Sequence, residues 1–164
     1  MAQIVIANTK AQYLLIEQLG DTIWREHYTS IIGINQVEYM LEKFQTAKVI
    51  ESQISDGYEY YLILKKDKPA GYLSIKKDGD ALFLSKLYVL QKLRGHGLGK
   101  LAMNVVENRA NTLVCNKIKL AVNKYNNNSI SIYEKIGFNK TKAIVMDIGN
   151  GFVMDDYIME KKIF

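Results

Sequence analysis

The run Arg94-Gly95-His96-Gly97-Leu98-Gly99-Lys100 joins a strand-like stretch, Ala81 to Leu90 (ALFLSKLYVL), to a helix-like one. In the latter, Leu101, Val105 and Val106 recur at one-turn spacing with polar residues between. Three glycines at alternate positions let the backbone turn tightly and come close to a ligand, because no Cβ intervenes. A helix that starts here turns its unpaired N–H groups and positive dipole end into the bend. Such a bend holds an anion, most naturally phosphate or pyrophosphate. The stretch therefore predicts a strand, an anion-binding turn and a helix in succession.

Spacing narrows the kind of turn. A P-loop requires G-x-x-x-x-G-K-[ST], but position 94 is Arg and position 101 is Leu. A dinucleotide fingerprint can be laid on Gly97, Gly99 and Ala102, and it then needs an acidic residue about twenty positions on. That region, Asn116-Lys117-Ile118-Lys119-Leu120, is basic and apolar. A glycine turn that binds nothing is the bland alternative, and Lys92, Arg94 and Lys100 around the bend argue against it.

A second patterned stretch runs from Asn126 to Phe138 (NNNSISIYEKIGF). One of Asn126, Asn127 and Asn128 caps a helix, Ile130, Tyr133 and Ile136 share a face, and Gly137 ends it. Before it, Lys117 to Val122 (KIKLAV) alternates as a partly buried strand does. Taken alone, Tyr133 reads as a half-buried core aromatic.

Together the two stretches resemble the GNAT superfamily of acyl-CoA N-acyltransferases. Arg94-x-x-Gly97-x-Gly99 matches its Q/R-x-x-G-x-G/A pyrophosphate loop. Asn126 to Phe138 is similar to its N-x-x-A-x-x-x-Y-x-x-x-G-F helix, with Ser129 in the place of the alanine. The resemblance implies an α/β (α+β) GNAT fold: a mixed central sheet of about seven strands with about four helices, splayed strands forming the acyl-CoA cleft. It also implies acetyl-CoA as donor and transfer of the acetyl group to a primary amine by direct attack in a ternary complex. The acceptor it suggests is a polyamine or other small amine. A protein or peptide amine, an aminoglycoside, or a non-catalytic acyl-CoA-binding module are the alternatives.

Residue by residue, the resemblance assigns Arg94, Gly95, Gly97, Leu98, Gly99 and Lys100 to the pyrophosphate. Leu87, Tyr88 and Val89 form the strand that meets the pantetheine arm. Leu87 and Val89 contribute backbone contacts, and an N–H near Tyr88 or Val89 faces the thioester oxygen. Asn126 contacts the pantetheine or the start of the helix. Tyr133 becomes the acid that protonates the leaving sulfur, since a phenol with a pKa of about 10 keeps its proton at neutral pH. The base is open: Leu82 to Lys86 holds no carboxylate, which leaves Glu26, His27, Glu51, Asp155, Asp156 or a water chain. Trp24, His27, Tyr28 and Tyr39 are expected to wall the acceptor pocket, and Asp156 to attract a cationic amine.

Composition agrees with one domain spanning 1–164. The chain has 164 residues, 48% hydrophobic and 24% charged, enough for a full core and too few for two domains. No run of about eighteen apolar residues is present, so no membrane helix is expected, and the N-terminus lacks a signal-peptide core. The net charge of +5 comes from scattered lysines that flank strands, which argues against a nucleic-acid partner. Cys115 is the only cysteine, so there is no internal disulfide, and no metal site is expected. The cytoplasm is the expected compartment.

Along the chain, Gln3–Ala7 reads as a strand. Asn8-Thr9 caps a helix through Leu19 or beyond, and Ile23–Phe44 reads as helix broken near Ile32-Gly33. Glu59–Lys66 and Ala70–Lys77 form a hairpin around Asp67-Lys68-Pro69. Lys140–Asp147 and Phe152–Lys161 form another around Gly149-Asn150-Gly151. Edge strands near the C-terminus suggest a homodimer.

Overall fold

Alternating apolar residues in the strands and turn-spaced ones in the helices produce a single layered fold in the computed structural model, which describes residues 1–163. The elements are β1 (Ala2–Ile6), α1 (Lys10–Ile32), α2 (Ile34–Phe44), α3 (Ala47–Ser55), β2 (Glu59–Lys65), β3 (Lys68–Asp78) and β4 (Ala81–Val89). After a 3-10 turn at Gln91–Leu93 come α4 (Leu98–Thr112), β5 (Lys117–Asn123), α5 (Asn127–Lys135), β6 (Asn139–Gly149) and β7 (Phe152–Lys162). The seven strands form one sheet in the order β1-β2-β3-β4-β5-β7-β6. Every neighbouring pair is antiparallel except β4 and β5.

Each face of the sheet carries its own core. On one face Ile16, Ile23, Val37 and Ile50 of α1 to α3 pack with Tyr60, Leu62 and Tyr72. On the other, Leu98, Ala102, Met103 and Val106 of α4 and Ile130 of α5 pack with Leu73, Leu82 and Leu120. The expected mixed sheet of seven strands is present, with five α-helices rather than about four. The additional helix, α3, is capped by Thr46, whose Oγ1 accepts from the Val49 N–H at 3.2 Å, and buries Ile50.

Local chemistry sets the boundaries. Thr9 and Gln12 make a capping box at the start of α1. That helix runs unbroken to Ile32, with the expected break at Gly33. The first hairpin begins its turn one residue earlier than expected, at Lys66-Asp67, both with positive φ. Lys68 and Pro69 lie inside β3, and Pro69 sits beside a register shift at Ile63/Leu64. There the missing N–H disturbs least. In α4 the buried stripe is Leu98, Ala102, Met103, Val106 and Ala110, while Leu101 and Val105 are half-buried. β6 is an outer edge of the sheet, and β7 is inside it.

One irregularity creates the functional space. β4 and β5 pair over four positions only, from Ala81↔Lys117 to Leu84↔Leu120. Just past Leu84, the β3–β4 register jumps from Ile75↔Leu84 to Ser74↔Lys86, leaving Ser85 as an extra residue. A bulge bends and twists its strand, so β4 leaves β5 where the pairing stops. The gap between them is a wedge.

Candidate active site

The wedge and the end of α4 enclose a cavity of about 680 Å³. Every residue assigned to the cofactor lines it: Leu87, Tyr88 and Val89 on β4, then Arg94, Gly95, Gly97, Leu98, Gly99 and Lys100, and Asn126 at the start of α5. Tyr133, His27 and Tyr28 line it too.

Gly97 is the N-cap of α4, in left-handed conformation at φ 81, and provides no side-chain cap. The first free N–H groups of the helix, from Leu98 to Lys100, therefore point outward without a protein acceptor in the cap. With Gly95 also at positive φ, the loop presents backbone N–H groups and a positive helix end to one point, which suits a pyrophosphate.

The open edge of β4 is defined by its hydrogen bonds on the other side. The Leu90 N–H donates to Ala70 O at 2.8 Å. The Tyr88 carbonyl lies so close to Gly71 that a Cβ there would stand 2.2 Å from its oxygen. Amides alternate in direction along a strand, so the Tyr88 backbone belongs to β3, while Leu87 and Val89 turn theirs into the wedge. Arg94 Nε donates to the Val89 carbonyl at 3.2 Å, from the open side. Of the Tyr88 and Val89 N–H groups, that of Val89 faces the wedge.

Tyr133 sits on α5, half-buried, with its ring edge-on to Phe138 at 5.5 Å between centroids. Burial, and then the neighbouring Tyr28, hold its hydroxyl well above the usual phenol range. It is protonated at neutral pH. The imidazole of His27 is held below its usual value by burial and by Arg94, with Asn126 opposing, so it is uncharged at neutral pH. Asn126 occupies the N-cap of α5 without making a cap bond and is buried, 5% exposed.

Three acceptor-site expectations, Trp24, Tyr39 and Asp156, fall elsewhere. Trp24, 4% exposed, lines neither of the cavities described here; it stands edge-on to Tyr28 at 5.4 Å and Tyr88 at 5.6 Å and supports both rings. Asp156, 5% exposed, lies on β7 opposite Asn123 and Ile144 and lines neither of the cavities described here. Burial first, and then Asp155, push its carboxyl up to about 6, with Lys124 opposing. Tyr39 donates to Ile148 O at 2.6 Å and ties α2 to the β6–β7 turn. Among the remaining base candidates, Asp155 is paired with Lys124 at 2.8 Å, and Glu51 lies on α3.

Lys86, which precedes Leu87 on the splaying strand, has no role among the expected site residues. Its Nζ donates to Tyr60 Oη at 2.6 Å and to Phe44 O at 3.2 Å, and Tyr60 in turn donates to Gln53. Burial pushes its amine down to about 7. The signal was there: it is the one charged residue in ALFLSKLYVL.

A family model, the acetyltransferase (GNAT) family, matches residues 17–138, and the chain belongs to that family, whose activity is acyl-CoA-dependent N-acetylation. Solved structures agree on the fold. The PaiA N-acetyltransferase from Thermoplasma acidophilum, in complex with coenzyme A, superposes with a TM-score of 0.81 at 18% identity, covering 99% of both chains. The ribosomal-protein-S18-alanine N-acetyltransferase from Escherichia coli gives 0.74 at 16% identity, covering 99% of this chain and 94% of that one. Aminoglycoside 6'-acetyltransferase type Ii gives 0.70 at 18% identity, over 100% and 97%. Among the described residues, no helix is long and apolar enough to cross a membrane.

Proposed function

We propose that this protein transfers the acetyl group of acetyl-CoA to a small primary amine by direct attack in a ternary complex. The observation that carries the reading is the free β4 edge at Leu87 and Val89, opening onto the same cavity as the glycine loop and Tyr133. The loop from Arg94 to Lys100 holds the pyrophosphate, Leu87 and Val89 pair with the pantetheine arm, and Asn126 contacts it from α5. The amine nitrogen attacks the thioester carbon, and the Val89 N–H stabilises the oxygen as it gains charge. As the C–S bond breaks, Tyr133 gives its proton to the sulfur. The proton lost by the amine goes to His27 and on to solvent, from which Tyr133 recovers its own. One proton leaves nitrogen and one reaches sulfur, so no further reactant is needed.

Two of the three neighbours carry different acceptors in their names, a ribosomal-protein alanine and an aminoglycoside, so acceptor choice resides in side chains rather than in the fold. The lone buried thiol of Cys115 suits a reducing cytoplasm. The test is thiol release from acetyl-CoA in the presence of polyamines, small amines, aminoglycosides or short peptides. Release stimulated by small amines supports the proposal, and release with peptides alone replaces the acceptor. Absence of thermal stabilisation by CoA would overturn the donor site.

A further inference from the structure

Beside the wedge lies a second cavity of about 340 Å³, between α1, the turn after β4 and the start of α5. This volume falls at the lower end for small-molecule sites, roughly 300–1,000 Å³. His27, Arg94, Asn126 and Asn128 line both cavities, so the two spaces meet at the mouth of the cleft. The groups that belong to the second alone are mostly polar: Glu26, Ser30, Gln91, Tyr125 and Asn127.

The chemistry of this lining is selective. Glu26 is its one carboxylate and has no ion-pair partner among the described residues. Ser30, Gln91 and Asn127 offer hydroxyl and carboxamide groups, and Tyr125, 68% exposed, offers a ring face. The one fixed cation, Arg94, directs its Nε at the Val89 carbonyl on the donor side. A positively charged, hydrogen-bonding molecule gains a counter-charge here.

Resting on the transferase reading above, we infer that this second cavity seats the acceptor, a small amine carrying a second positive charge. The reacting nitrogen lies at the junction beside His27, and the second ammonium lies toward Glu26.

The test separates binding from turnover. Protein loaded with CoA, which has no acetyl group to give, is titrated calorimetrically with 1,4-diaminobutane and with 1-aminobutane. The diamine is expected to bind about threefold to fivefold more tightly, the size of one exposed ion pair. Glu26→Gln should bring the two amines to equal affinity and leave CoA affinity as it was. Equal affinities in the wild type, no binding of the diamine, a preference that survives Glu26→Gln, or a loss of CoA affinity in that variant each overturns the assignment. The expected preference without thiol release from acetyl-CoA keeps the cavity's role in amine binding and overturns the transferase reading instead.

Discussion

The two strands that part at Leu84 and Leu120 differ in what stands behind them. Behind β4, Lys86 is anchored to Tyr60 and to the end of α2, Gly71 lets β3 press against Tyr88, and Trp24 braces Tyr28 and Tyr88. Beyond β5 come β7 and then β6, whose residues are nearly all exposed, Val145 at 65%. Donors that stabilise developing charge work only when held in place before the charge appears. The braced arm carries the Val89 N–H, to which the proposed mechanism gives that task. The lightly backed arm leads to surfaces with no such demand.

The largest effect expected is at Tyr133, across the wedge from β4. Tyr133→Phe should lower kcat roughly 10²–10³-fold and leave acetyl-CoA affinity nearly unchanged. A parallel loss of cofactor affinity would make Tyr133 a packing residue.

Next comes the brace itself. Gly71→Ala places a Cβ against the Tyr88 carbonyl and should cost about 2–3 kcal/mol in denaturant unfolding, with kcat falling as Val89 shifts. Unchanged stability would show that β3 does not fix the position of β4.

Lys86 sharpens the comparison through pH. Its amine titrates near 7 in the fold and at about 10.4 in the unfolded chain. Between those values the unfolded chain holds a proton that the folded one has released, so stability rises with pH. The penalty for burying the charge is complete below about 7. From about pH 7 to 8.5 this amounts to about 1–2 kcal/mol, and Lys86→Met should lack that rise. Parallel stability curves for the two proteins would remove Lys86 from the brace.

The smallest effect belongs to the far edge. Val145→Lys on β6 should change stability by less than about 0.5 kcal/mol. A larger loss that grows with protein concentration would mean that a second copy covers β6.

Legibility followed the same division between local and assembled features. The glycine loop and the α5 helix hold their residues at fixed short spacing, so the residues that line the wedge, Arg94, Gly97 and Tyr133 among them, could be picked out from order alone. The second cavity brings Glu26 together with Asn127 from opposite ends of the chain, and no short pattern links them. The resemblance sets the acceptor pocket beside the last strands, where Asp156 is a natural partner for a cationic amine; burial on β7 removes it from both cavities. Asp67-Lys68-Pro69 reads as the first turn, yet the turn uses Lys66 and Asp67 at positive φ, where no glycine marks the place. α3 escaped because Thr46 is its cap and only Ile50 is fully buried on it, too short a stripe to show a helical period.

The four residue pairs that join β4 to β5 make the sheet, mechanically, a four-stranded plate and a three-stranded plate meeting at a short seam. A load drawn across the sheet concentrates on that seam. An acyl-CoA lying between the plates would act there as a weld, so the force needed to part them should rise with ligand occupancy.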